Sequence, residues 1–196
     1  MLLSPAKLGS RRGRLLFGDE ADFPLARRLR SREGAPLGEV FSFVSGLYFR
    51  GKASYARVFA RSADGSPAAF VMTAGGGLAG LDEPVGLERL RGWASVAIHA
   101  DNPHFTAPLL RQTSALLDTH AETTRFVLLG SIASDKYVAP LLEIFGARLL
   151  FPREFLGRGD MSRGSLLLKA VRDGQELEYA PVADVRRSSD PQPHRL

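Results

Sequence analysis

Several short stretches of this 196-residue chain carry residue types and spacings that could do chemistry. Gly46-Leu47-Tyr48-Phe49-Arg50-Gly51-Lys52-Ala53 reads G-x-x-x-x-G-K, the pattern of a phosphate-cradling loop. Ala53 stands where such a loop needs a magnesium-holding hydroxyl, and Leu-Tyr-Phe is a bulky filling for a backbone cradle. The expectation is therefore a loop in which Tyr48, Arg50 and Lys52 present side chains to a ligand while Phe49 packs beneath them. Gly75-Gly76-Gly77-Leu78-Ala79-Gly80 satisfies G-x-G-x-x-G, with Asp101 as the acidic residue downstream. Pro84 and Gly86 interrupt the helix that this fingerprint must open. Gly75 and Gly77 are thus expected in a flexible loop that lets a ligand approach the backbone.

Gly130-Ser131-Ile132-Ala133-Ser134-Asp135-Lys136-Tyr137 places hydroxyls and a lysine at a helix start, where N–H groups and positive charge together suit a phosphate or carboxylate. Ser134 or Asp135 would also cap that helix. The stretch 157–164 holds three glycines, Arg158, Asp160, Ser162 and Arg163, and reads as a functional loop. Arg158 and Arg163 would clamp an anion and Asp160 would serve as acid or base. These two stretches are expected to form two walls of one anion site. His99, Asp101 and His104 have metal-ligand types in an H-x-D-x-x-H spacing. The reading adopted is that Asp101 or Asn102 caps the turn that begins at Pro103, with no metal site.

The elements that must hold these residues follow from periodicity. Apolar runs at 39–45, 68–74, 95–100, 125–131 and 147–152 read as strands, separated by amphipathic helices at 52–60, around LERLRGWA, at 106–120 and at 136–146. Residues 22–31 read as a short helix capped by Asp22. Continuous apolar strands alternating with helices predict an α/β, three-layer Rossmann-like fold with a mainly parallel five-stranded sheet. SLLLKAV, Arg172-Asp173-Gly174-Gln175 and ELEYAPV predict a C-terminal antiparallel hairpin. In such sheets ligands bind at the carboxyl ends of the strands.

The net charge of +5 is carried by the ends: residues 1–38 hold eight Lys/Arg against four Asp/Glu, and 186–196 hold three against one. The middle, 39–185, is near neutral and has no field to attract nucleic acid over its whole surface. Residues 1–38 are expected to be a basic, partly disordered arm, 39–185 the α/β domain and 186–196 a disordered tail, so that 36–185 folds without either end. No apolar window nears the roughly 18 residues of a membrane span, and no secretory leader is read, so a cytoplasmic protein with no membrane partner is expected. The absence of cysteine excludes disulfides, thiolate metal sites and cysteine nucleophiles.

The runs SGLYFRGKASYARVFA (45–60) and GSIASDKYVAPLLEIFGARLLFPREFLGRGDMSRGSLLL (130–168) resemble a family of bacterial conserved hypothetical proteins with no assigned reaction. A strand followed by LYFRGK and an apolar strand followed by a Gly-rich turn are similar in layout to small Rossmann-like modules of nucleotide and nucleic-acid modification. The function expected is binding, with hydrolysis or transfer as the accompanying chemistry, of a phosphorylated or nucleotide-like ligand at the carboxyl edge. The residues neither establish an enzyme nor name a cofactor. The alternative is a non-enzymatic interaction module that contacts protein or nucleic acid through the same edge and the N-terminal arm.

Overall fold

The centre of the sheet is made by the first apolar residues of the chain. In the computed structural model, residues 1–62, 65, 66, 68–133 and 135–189 are described, 186–189 by backbone alone. Leu2–Leu3 (β1) pairs in parallel with Phe70–Thr73 (β3) on one side and Phe126–Leu129 (β6) on the other. Leu149–Pro152 (β7) continues the parallel run beside β6. The edges are antiparallel: Gly77–Gly80 (β4) on β3, and Tyr179–Pro181 (β8) on β7. The six-stranded order is β4-β3-β1-β6-β7-β8, and Ala35–Pro36 (β2) with Pro84–Val85 (β5) forms a separate two-stranded ladder. All four residues of β6 are buried, as a strand covered on both faces requires.

The helices are Arg11–Phe17 (α1), Pro24–Arg30 (α2), Leu37–Ser45 (α3), Leu47–Phe59 (α4), Leu87–Ala94 (α5), Pro103–Thr119 (α6), Asp135–Phe145 (α7), Asp160–Asp173 (α8) and Val182–Ser189 (α9). Asn102 caps α6, its Oδ1 accepting from the His104 N–H at 3.1 Å, with Pro103 in the first turn where its missing N–H costs nothing. Gly146, at φ 51°, follows the end of α7. No helix among the described residues is long and apolar enough to cross a membrane.

Several sequence expectations are corrected. Residues 39–45 lie in α3, because the buried Leu37, Val40, Phe41 and Val44 recur at helical spacing, not at a strand's period of two. Residues 95–100 form no strand; they lead from α5 into the turn before α6. The C-terminal hairpin does not form, although its second arm supplies β8, antiparallel at the edge of the sheet as expected. Its first arm is the second half of α8, which buries Gly164, Leu167 and Ala170, and Gly174 (φ 65°) ends that helix as a left-handed cap, not as a strand turn. The parallel core is therefore four strands with two antiparallel edges. Asp22 caps nothing in α2; Phe23 holds the cap position and Asp22 pairs with Arg27. The expected loose arm is also overturned. Residues 1–38 supply β1, α1, α2 and β2, and Leu2, Leu3, Leu16, Ala26 and Leu29 are in the core. Of the expected tail, 190–196 lie outside the described residues, while 186–189 end α9.

Candidate functional site

β1, β3 and β6 run parallel and so end at one edge, where the segments that follow them border a single cleft of about 550 Å³. Ser4 and the turn through Gly9 follow β1, Ala74 follows β3, and Ser131 follows β6. The first turns of α7 and α8 add Lys136, Tyr137 and Asp160, and the first half of α4 adds Tyr48 and Lys52. Trp93, Val96 and Ile98, at and beyond the end of α5, form an apolar wall.

Lys52 is the least expected of these groups, being 1% exposed in the middle of a helix. Its Nζ donates to the Ser4 carbonyl oxygen at 2.7 Å and to Ser4 Oγ at 2.8 Å. The Tyr48 and Phe49 rings lie 4.6 and 4.7 Å away, and no ion-pair partner is recorded for it among the described residues. Burial pushes the amine down from 10.5 to about 7, against the weaker opposing pull of the Asp160 carboxylate.

Beside it, Tyr48 Oη is buried and makes no hydrogen bond of good geometry. Burial holds the phenol above its usual range, opposed by the nearby Arg163. Tyr137 Oη donates to the Ser131 carbonyl at 3.1 Å, and burial raises this phenol too. Arg163 Nη1 stands 3.6 Å from Asp160 Oδ1, while its Nε donates to the Phe155 carbonyl at 3.2 Å and its guanidinium covers the Phe155 ring. Two phenols, an amine, a carboxylate and a guanidinium thus share the junction of α4, α7 and α8.

Of the residues singled out from sequence, Tyr48, Lys52, Ser131, Lys136 and Asp160 line the cleft. Arg163 does not line it but stands 3.6 Å from Asp160, which does. Ser134 is outside the described residues. Arg50 is exposed on α4 and does not line the cleft, because the G-x-x-x-x-G-K stretch is no loop: Gly46 (φ 66°) breaks the chain and α4 starts at Leu47. Gly75 and Gly77 form the tight β3–β4 turn at φ 116° and 70°. A Cβ on Gly77 would stand 2.7 Å from the Pro108 carbonyl, so α6 fills the space a pyrophosphate would need. Arg158 and Ser162 bond each other at 3.0 Å in the exposed entry to α8, away from the cleft. His99 and Asp101 are exposed and 3.4 Å apart, and no cluster of three metal-ligand side chains occurs among the described residues.

Sequence reasoning missed Ser4, Lys7, Trp93 and Tyr137. The available signal was the run Leu2-Leu3-Ser4-Pro5 ahead of Gly9, an apolar pair broken by a turn former. Chemically, the cleft offers an apolar wall for a flat or carbon-rich group, cations for an anion, and a carboxylate and an amine for proton or bond transfer. Comparisons with protein-family models, with curated proteins and with solved structures found no match to this chain.

Proposed function

We propose that the protein binds a phosphorylated or nucleotide-like small molecule at the carboxyl ends of β1, β3 and β6, in a Rossmann-like, three-layer arrangement. The observation that carries this reading is one cleft of about 550 Å³ that joins the Trp93 wall to the Lys7 and Lys136 side. Its volume falls within the range of roughly 300–1,000 Å³ typical of small-molecule sites. Lys136 and Lys7 hold the anionic group, Ser131 supplies a hydroxyl, and the sugar or base lies on Trp93, Val96 and Ile98. Asp160 is the acid or base for hydrolysis or transfer, steadied by Arg163.

Docking of nucleic acid on the basic N-terminal segment has less support. Arg27 and Arg28 pair with Asp22 and Glu39, and Arg30 donates to the Gly18 and Ala26 carbonyls. The test is thermal melting with inorganic phosphate, nucleoside mono- and diphosphates and sugar phosphates. A true ligand at 100 times its Kd stabilises by about 2.7 kcal/mol. Lys136→Ala is expected to remove most of that gain. If none of these compounds raises the melting temperature, while salt-sensitive retention on RNA requires Arg11 and Arg12, the reading gives way to the interaction module.

A further inference from the structure

Lys52 is used by nothing in the reading above, and its surroundings are unlike those of a structural lysine. Buried lysines that hold a fold together come with carboxylate partners, because an uncompensated charge in a dry interior is costly. Lys52 has two neutral oxygens instead, both from Ser4. An ammonium has three N–H donors; a neutral amine has two. The two Ser4 oxygens satisfy both N–H groups of a neutral amine, whereas the third N–H of an ammonium would face only the Tyr48 and Phe49 rings. Lys52 and Ser4 both border the cleft.

We propose that Lys52 is a nucleophilic amine that condenses with the carbonyl carbon of a phosphorylated aldehyde or ketone bound in this cleft. The inference rests on the phosphate-binding reading for the second half of that ligand description. Nζ attacks the carbonyl carbon, a C–N bond forms, and the carbonyl π pair moves to oxygen, which is protonated as the nitrogen loses one proton. The resulting carbinolamine expels its hydroxyl as water, using the remaining N–H proton, and a C=N bond replaces the C=O bond. One water leaves and no oxidant or reductant is consumed. Asp160, which lines the same cleft, is the group placed to pass protons, and Lys136 and Lys7 hold the phosphate.

The charge and titratable groups around Lys52 come from every neighbouring element: Tyr48 on its own helix, Asp160 and Arg163 on α8, Lys136 and Tyr137 on α7, and Lys7 after β1. Asp160 is the charge that acts on its titration, and burial outweighs it. At neutral pH an amine that titrates near 7 has roughly a thousandfold larger unprotonated fraction than an ordinary exposed lysine.

The experiment is reductive trapping of the full chain with glyceraldehyde 3-phosphate and sodium borohydride, followed by peptide mapping. Glyceraldehyde, which lacks the phosphate, and glycerol 1-phosphate, which lacks the carbonyl, are run beside it. The expected result is one dominant adduct, on Lys52, at least ~10-fold ahead of Lys7, Lys136 and Lys169, with a labelling rate that reaches half its plateau near pH 7 and an adduct lost in Lys52→Met. Mapping on the unsubstituted chain decides the matter even if that variant fails to fold. Labelling spread evenly over the exposed lysines, or no adduct on Lys52, overturns the proposal. Stabilisation by glycerol 1-phosphate without a Lys52 adduct sinks the amine and keeps the phosphate reading. Equal Lys52 labelling by glyceraldehyde and its phosphate, with no stabilisation by glycerol 1-phosphate, keeps the amine and sinks the phosphate.

Discussion

Gly51 and Gly164 meet where α4 crosses α8: a Cβ on Gly51 would stand 2.7 Å from the Gly164 carbonyl oxygen, and one on Gly164 would stand 2.9 Å from the Tyr48 Cα. The missing side chains let the two helices touch backbone to backbone. That approach brings Asp160 and Arg163, in the first turn of α8, to the side of α4 that carries Tyr48 and Lys52. LYFRGK (47–52) and GDMSRG (159–164) therefore meet in space although more than a hundred residues separate them. They are the two halves of one crossing.

Gly51→Ala or Gly164→Ala should therefore destabilise the protein by about 1–3 kcal/mol, the usual penalty for overpacking. The atoms such a Cβ would meet are backbone atoms, which cannot rotate away as the end of a side chain can. The double variant should show less than the sum of the two losses, because the first substitution already separates the helices. Urea denaturation curves check this, and an unchanged midpoint in both single variants would mean that the helices have room.

A chain cut to 36–185 should lose its cooperative melt. The cut removes β1, and with it the pairing partner shared by β3 and β6 in the middle of the sheet. It also removes Ser4, the acceptor for Lys52. A milder version, Leu3→Ala at a fully buried position, should cost about 2–5 kcal/mol. A sharp melt of the 36–185 chain would show that the remaining strands can close the gap.

What could be read from sequence, and what could not, divides along local and non-local lines. β6, β7 and α7 were legible because their apolar runs and the glycine at 146 are local signals. Phe41-Ser42-Phe43-Val44 alternates like a strand, yet Ser42 Oγ bonds the Gly38 carbonyl four residues back at 2.6 Å, as in a helix, and tertiary packing decides the outcome. The Leu166–Leu168 run hid a helical stripe of Gly164, Leu167 and Ala170. β1 is two residues long, too short for any period to declare itself, and it is a strand only because β3 and β6 flank it. The cleft followed the same rule. Ser131, Lys136 and Asp160, which line the cleft, follow apolar runs that are local signals, whereas Ser4 and Lys7 follow β1, which carries none.

Lys52 should make stability depend on pH in a defined window. Its folded-state value, about 7, lies below the unfolded value of 10.5, so between these limits the unfolded chain binds more protons than the folded one. Stability from this group therefore rises as pH increases from about 7 towards 10.5, and below about 7 the full penalty of burying the amine applies. Lys52→Met should flatten that rise, and its stability relative to the parent should be greatest at pH 7 and shrink as pH approaches 10. The raised phenols of Tyr48 and Tyr137 act in the opposite sense, above pH 10, and are common to both proteins. Denaturation midpoints of the pair across this range check it; parallel curves would show that Lys52 stays charged in the folded protein.

Trp93 should report occupancy of the cleft directly. It is the single tryptophan of the chain, it is buried against the Gly76 turn with the Arg89 guanidinium 4.8 Å from its ring, and its indole borders the cleft. A ligand that lies on the Trp93, Val96 and Ile98 wall changes the polarity around that indole, so its emission should shift saturably. The midpoint should agree with the ligand concentration that raises the melting temperature. Lys136→Ala, which removes one cation from the cleft lining and leaves the indole in place, should move the midpoint about tenfold, a loss of about 1.4 kcal/mol in binding, and leave the size of the emission change intact. Trp93→Phe should abolish the signal while the thermal stabilisation persists in part. A ligand that stabilises the protein and leaves Trp93 emission untouched would have to bind elsewhere, and the cleft would lose its claim to be the site.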